Sequence, residues 1–138
     1  MKYLRILIVA LSFAAMTFAV QAAEKLSVQD AHKLAESGEI LLVDIRTPQE
    51  WRDTKVAASA QTITMHNADF LKNLEMAIEG DKSKPIALIC ATGGRSNWLQ
   101  SQLMSRGYTK VYDISEGMLG SQSGPGWLKS SLPLKDAP

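Results

Sequence analysis

The sequence predicts an α/β fold in which helices cover both faces of a parallel sheet. Short, mostly apolar runs that are typical of buried strands alternate along the chain with segments whose apolar residues recur at helical spacing. Residues 40–45 and 86–89 are runs of the first kind, and residues 70–78 have the helical spacing. Parallel strands joined by helices produce this alternation. No internal repeat and no second domain is evident.

The first 22 residues predict a secretory signal peptide. Lys2 and Arg5 precede an apolar run over residues 6–20, and small residues up to Ala22 suit cleavage after that position. A membrane anchor is the alternative, but the run is short for a spanning helix. We therefore expect export to the periplasm and a single mature domain over residues 23–138.

Charge and cysteine content exclude several classes of function. The chain has 15 basic and 14 acidic residues, and without the predicted leader the balance is 13 against 14, a net charge of −1. We therefore expect no binding to nucleic acid, and none to membranes once the leader is cleaved. The single cysteine, Cys90, excludes an intramolecular disulfide, and with two histidines it excludes a cysteine-rich metal site. We expect no cofactor and no metal.

The elements before Pro85 follow from caps and periodicity. Ser27 is a plausible N-cap, Pro48 suits the first position of a helix, and Asn67 can cap the helix that contains residues 70–78. In chain order we predict a strand at 24–26, a helix from Ser27 to Gly38, a strand at 40–45, a short helix from Pro48, a connection at 54–60, a strand at 61–65 and a helix ending at Gly80.

After Pro85 we predict a strand at 86–89, a helix from Ser96 to Gly107 and a final strand at 110–114. Residues 117–126 are rich in glycine and serine, which predicts a flexible segment. The last residues, 135–138, are expected to be frayed. Four apolar residues between these two segments are expected to fold back over the core: Trp127, Leu128, Leu132 and Leu134.

One loop indicates chemistry. Cys90 ends the strand at 86–89, and a loop with two glycines separates it from the helix that Ser96 opens. A helix N-terminus presents free N–H groups with partial positive charge, and glycines let such groups converge on one point. A thiol there should lose its proton readily, and the thiolate is the nucleophile. The alternative is that Cys90 is a small buried residue at the end of a core strand.

Four features together resemble the rhodanese family of single-domain sulfurtransferases. Residues 43–51 (VDIRTPQEW) resemble its Asp-x-Arg at a strand end followed by a Glu-aromatic pair. Residues 90–96 (CATGGRS) resemble its active-site loop, Cys-x-x-Gly-x-Arg. Two further features match the later part of the family pattern: Gly107-Tyr108 before a strand, and Glu116-Gly117 with Trp127.

The resemblance implies a five-stranded, mainly parallel sheet flanked by helices, and a thiosulfate sulfurtransferase. The family's cysteine takes a sulfane sulfur from a donor such as thiosulfate and passes it to cyanide or a thiol through a persulfide. Cys90 would be this nucleophile, and Arg95 would help to bind the anionic donor. A protein thiol is a further candidate acceptor, and we expect a monomer. The backbone N–H groups that would hold the persulfide are those of Ala91, Thr92, Gly93, Gly94 and Arg95.

Two departures from the family pattern leave alternatives open. Ala91 stands where the family often has a basic residue, and residues 54–60 (TKVAASA) replace its usual Gly-His-containing turn. Both favour a non-catalytic sulfur carrier on the same fold as the second hypothesis. A phosphatase or arsenate reductase is the third, but related phosphatases have one more residue between the cysteine and the arginine.

Six other polar or aromatic positions carry weaker expectations. Asp44 and Arg46 are expected to tie loops together, with Arg46 paired to Asp44 or to Glu50. Trp51 is expected in the core, and Trp98 either lines the pocket or packs. His66 belongs to no metal or catalytic pattern, since no partner is evident, and His32 is interpreted as a solvated helix residue.

Overall fold

The computed structural model describes residues 23–138, so the predicted signal peptide lies outside the described residues. The strands are β1 (Glu24–Lys25), β2 (Leu41–Asp44), β3 (Val56–Ala57), β4 (Gln61–Thr62), β5 (Ile86–Ile89), β6 (Val111–Asp113) and β7 (Leu134–Lys135). The helices are α1 (Val28–Glu36), α2 (Pro48–Thr54), α3 (Phe70–Ala77), α4 (Gly94–Ser105) and α5 (Gly126–Lys129). None of the described helices is long and apolar enough to cross a membrane.

A five-stranded sheet with the order β1-β6-β5-β2-β4 forms the centre of the molecule. All four of its strand pairs are parallel. The central strand, β5, is fully buried, as its apolar sequence predicts. The predicted five-stranded, mainly parallel sheet is therefore confirmed, and β5 places its carboxyl end at the middle of the sheet edge where such folds bind ligands.

Two apolar clusters lie on opposite faces of the sheet, which confirms the prediction of helices on both sides. Successive residues of β5 alternate between them: Ile86 and Leu88 pack with α3 and α4, whereas Ala87 and Ile89 pack with α1 and the fully buried Trp127. Cys90 continues this alternation and belongs to the cluster with α3 and α4.

Local capping explains where two helices begin. The Ser27 hydroxyl accepts a hydrogen bond from the Asp30 N–H, and Thr47 forms a reciprocal capping box with Glu50 ahead of Pro48. The prediction that Asn67 caps α3 is wrong. The Asn67 side chain accepts from the Asp69 N–H in a turn, and the helix begins only at Phe70.

The carboxyl-terminal segment is more ordered than its composition predicts. The last strand is β7, which pairs antiparallel with β3, and Lys135 Nζ also donates to the Ala60 carbonyl at 2.7 Å. The expectation that Lys135 is frayed is therefore wrong, because its strand partner lies far away in the sequence. Residues 117–126 are likewise held, with the Gly126 N–H donating to Glu116 at 2.9 Å.

Candidate active site around Cys90

Cys90 directly follows β5, and α4 begins four residues later. Its Sγ accepts hydrogen bonds from the backbone N–H groups of Gly93, at 3.2 Å, and of Ser96, at 3.4 Å. The residue is 1% exposed. The thiol therefore lies at the N-terminus of a twelve-residue helix, where free N–H groups stabilise negative charge.

Two glycines hold the cysteine loop against the segment that follows β6. A Cβ on Gly93, which has a φ of 91°, would lie 2.1 Å from the Ser115 carbonyl oxygen. A Cβ on Gly117 would lie 2.3 Å from the Ala91 carbonyl oxygen. The Met118 N–H also donates to the Cys90 carbonyl at 2.9 Å. These close approaches need glycine, and they determine the curvature that brings the N–H groups to the sulfur.

The loop residues whose backbone N–H groups are predicted to hold the persulfide have different surroundings. Gly93 supplies one of the two N–H groups on the sulfur. Ala91 is half-buried, whereas Thr92 and Gly94 are exposed and line, with Gly93, an open polar cleft. The second N–H comes from Ser96, one residue beyond these loop residues.

Arg95 forms a two-pronged ion pair with Glu50. Nη1 donates to Oε2 at 2.9 Å and Nη2 to Oε1 at 2.6 Å. Nη1 also lies 3.2 Å from His66 Nε2, which can accept a hydrogen bond from the guanidinium in the tautomer that leaves this nitrogen without a proton. No partner for His66 was evident in the sequence, and the structure places its ring against Arg95. Glu50 belongs to the VDIRTPQEW motif, so its position could have indicated a role, whereas no pattern marked His66.

The ion pair changes the protonation equilibria of both side chains. The hydrogen bond from Arg95, with the capping bonds from Thr47, outweighs burial and lowers the pKa of Glu50 from 4.5 to about 2. The hydrogen bond to Glu50 raises the pKa of Arg95. The pair joins the first turn of α2 to the first turn of α4 and so braces the cysteine loop.

The stability contributed by this pair should depend on pH. Because the Glu50 pKa is lowered on folding, the contribution is complete above about pH 4.5 and is lost as the pH falls through about 2. We expect Glu50→Gln, which preserves the capping box, to lower the free energy of unfolding by about 1 kcal/mol at neutral pH, since the pair is partly exposed. Urea unfolding at neutral pH and near pH 2 measures this difference, which should disappear in acid.

Glu75→Gln provides the control for that experiment, because Glu75 is an exposed residue of α3. It should change stability little at either pH. An undiminished effect of Glu50→Gln in acid would contradict the assignment to the ion pair.

Asp44 and Arg46 form a buried structural pair, as predicted, and the partner of Arg46 is Asp44. Arg46 Nη2 lies 2.7 Å from Asp44 Oδ2, and Trp51 Nε1 donates to Asp44 Oδ1 at 3.0 Å. Arg46 also donates to the Thr54 hydroxyl and the Lys55 carbonyl. The pair thus ties α2 to the end of β2, and Trp51 is buried beside it as expected.

Two residues that the sequence did not single out as functional complete the surroundings of the sulfur. Ser96 Oγ lies 3.4 Å from Cys90 Sγ and donates to Asp113 Oδ1 at 2.6 Å. Both side chains are buried. Ser96 was noted only as a helix start, and Asp113 had no local signal because it ends an ordinary buried strand.

The packing decides the two expectations for the side chains of Trp98 and His32. Trp98 is 56% exposed and lines a shallow apolar groove between α3 and α4 that does not include Cys90. The interpretation of His32 as a solvated residue is wrong. Its side chain is 19% exposed and lies edge-on against the ring of Trp127, with ring centroids 5.8 Å apart.

The central strand of the parallel sheet, β5, leads directly into Cys90, whose sulfur lies at the N-terminus of α4. The family model for the rhodanese-like domain matches residues 27–123, and the chain belongs to this family. Among the described residues, no group of three or more potential ligands could hold a metal ion.

The chain is similar to several sulfurtransferases. It is 28% identical over 94 residues to the thiosulfate sulfurtransferase GlpE of Pseudomonas syringae, covering 68% of this chain and 82% of that protein. It is 30% identical over 104 residues to a sulfurtransferase of Allochromatium vinosum, covering 75% and 86%. The polysulfide-sulfur transferase homodimer of Wolinella succinogenes superposes with a TM-score of 0.60 at 26% identity, covering 83% and 79%.

Proposed function

We propose that this rhodanese-like protein is a sulfurtransferase that carries sulfane sulfur as a persulfide on Cys90. The observation that supports the proposal is the position of Cys90 Sγ, which accepts two backbone N–H groups at the start of α4. Such a site stabilises both a thiolate and a persulfide anion. Relatives named as sulfurtransferases are consistent with this chemistry.

The proposed reaction needs no oxidant. The Cys90 thiolate attacks the outer sulfur of thiosulfate, the new S–S bond forms as the S–S bond of the donor breaks, and sulfite leaves with the electron pair. Cyanide or a thiolate then takes the outer sulfur from the persulfide, and the Cys90 thiolate is regenerated. Each step transfers one sulfur atom and conserves charge.

A sulfur carrier is the second candidate, and the state of Arg95 favours it. Both Nη atoms of Arg95 bind Glu50, and Ala91 adds no charge, so a doubly charged donor would meet mainly backbone dipoles. In this hypothesis a persulfide supplied by another protein loads Cys90 without appreciable use of thiosulfate.

We also propose that the mature protein is a single periplasmic domain over residues 23–138 that acts as a monomer. The proposal of export rests on the charged and apolar pattern of residues 1–22.

Intact mass spectrometry before and after incubation with thiosulfate tests the proposed function. Because Cys90 is the only cysteine, a gain of about 32 Da that cyanide removes assigns a persulfide to this residue. If a small-molecule persulfide loads Cys90 and thiosulfate does not, the sulfur-carrier hypothesis replaces the hypothesis of a thiosulfate sulfurtransferase. No loading by either reagent would overturn both, and turnover of an aryl phosphate would establish the phosphatase instead.

A further inference from the structure

Asp113 is a buried carboxyl group to which the sulfur chemistry described so far assigns no role. The residue is 1% exposed. Each carboxylate oxygen accepts a hydrogen bond from one hydroxyl: Oδ1 from that of Ser96 at 2.6 Å, and Oδ2 from that of Ser115 at 2.7 Å. Within residues 23–138 it has no salt-bridge partner. Burying an ionised carboxylate without a cation costs free energy, so a purely structural role for Asp113 would be an expensive one.

Ser96 connects this carboxylate to the nucleophile. Its hydroxyl has one proton, and the Asp113 carboxylate at 2.6 Å is a better acceptor than the Gly93 carbonyl at 3.2 Å. With the Ser96 proton directed at Asp113, the lone pairs of Oγ are free to accept the thiol proton of Cys90 from 3.4 Å. The three groups form a continuous chain of donors and acceptors.

We propose that Cys90, Ser96 and Asp113 form a proton relay that generates the thiolate. The S–H bond of Cys90 breaks, its electron pair stays on sulfur, and the proton passes to Ser96 Oγ. The original Ser96 proton moves at the same time to Asp113 Oδ1. One negative charge is thereby transferred from Asp113 to Cys90, and Ser96 now donates to the thiolate. The purpose of the relay rests on the proposed sulfur transfer.

The surroundings of the two ends favour this direction of transfer. At the sulfur, the Gly93 and Ser96 N–H groups and the start of α4 stabilise negative charge, and the Arg95 guanidinium interacts electrostatically with an ionised Cys90. At Asp113 the direct partners are neutral hydroxyls. Two other charged residues lie nearby. Lys25 is the register partner of Asp113 in β1 and lines the same cleft. The Glu116 carboxylate accepts hydrogen bonds from the Val28 and Gly126 N–H groups instead.

The pH profile of Cys90 alkylation by iodoacetamide tests the relay, because this neutral reagent reacts with the thiolate and needs no sulfur donor. We expect Ser96→Ala and Asp113→Asn to slow alkylation about tenfold at neutral pH, the size expected when one hydrogen bond to a charged group is lost. Their profiles should shift to higher pH, and their limiting rates in alkali should match the wild type.

Ser115→Ala is the matched control, since Ser115 binds the other oxygen of Asp113 and is not bonded to the sulfur. It should not slow alkylation. Ser96→Thr retains the hydroxyl and should restore the wild-type profile, so this pair of Ser96 variants decides the matter even when Asp113→Asn fails to fold. Wild-type profiles in both Ser96→Ala and Asp113→Asn would overturn the relay and leave Ser96 as a structural tie to the Gly93 carbonyl.

The relay and the proposed function fail in different ways. A protein that takes no sulfur from any donor, but whose alkylation depends on Ser96 and Asp113, refutes sulfur transfer and retains the relay. If the protein loads sulfur and all variants share one alkylation profile, the relay is refuted and sulfur transfer is retained.

Discussion

We expect Cys90→Ser to gain no sulfur from thiosulfate and to form thiocyanate from cyanide at least about 10⁴-fold more slowly than the wild type. A serine hydroxyl remains protonated at neutral pH, and an attack through oxygen could not form a persulfide. The measurements are intact mass after incubation with the donor and the initial rate of thiocyanate formation.

The fold should survive this substitution. Serine has nearly the shape of cysteine, and its oxygen can accept the same two N–H groups, from Gly93 and Ser96. We expect the circular dichroism spectrum to be unchanged and the free energy of unfolding to fall by about 1 kcal/mol, because a more polar atom is buried. Sulfur transfer that persists in a folded Cys90→Ser protein would eliminate Cys90 as the nucleophile.

We expect Gly93→Ala to have the second largest effect, on both stability and sulfur loading. The new Cβ would lie 2.1 Å from the Ser115 carbonyl oxygen, at a φ of 91° that side chains rarely adopt. Relief of this clash must move the loop or the backbone after β6, at a cost of about 3 kcal/mol. The same movement takes the Gly93 N–H away from the sulfur, so the loading rate should fall by at least about 100-fold.

Gly94→Ala is the matched control for stability. The neighbouring glycine is the first residue of α4, and a Cβ there would meet no atom within 4 Å. This substitution should stabilise the protein by about 0.5 kcal/mol, because it reduces the freedom of the unfolded chain. Chemical denaturation of both variants gives the comparison. Equal stabilities would show that the approach to Ser115 is not what requires glycine at position 93.

Much of the fold could be predicted because its signals are local. The apolar run of β5 and the helical spacing of α3 lie within single segments, and Ser27 and Pro48 mark helix starts through their own backbone neighbours. Parallel strands joined by helices then place every strand's carboxyl end at one sheet edge. That rule, applied to a cysteine followed by glycines and a helix, was enough to locate the candidate nucleophile.

Only the tertiary structure decided which side chains surround that nucleophile. Arg95 and Glu50 are 45 residues apart, and Ser96 and Asp113 are 17 apart. The order of the strands in the sheet and the curvature of the loops bring these pairs together. Neither feature produces a periodic pattern in the amino-acid sequence. The pairing of β7 with β3 was missed for the same reason. The sequence by itself thus determined the architecture and the thiol at its centre, whereas the charge balance and the proton path around the thiol depend on contacts between distant segments.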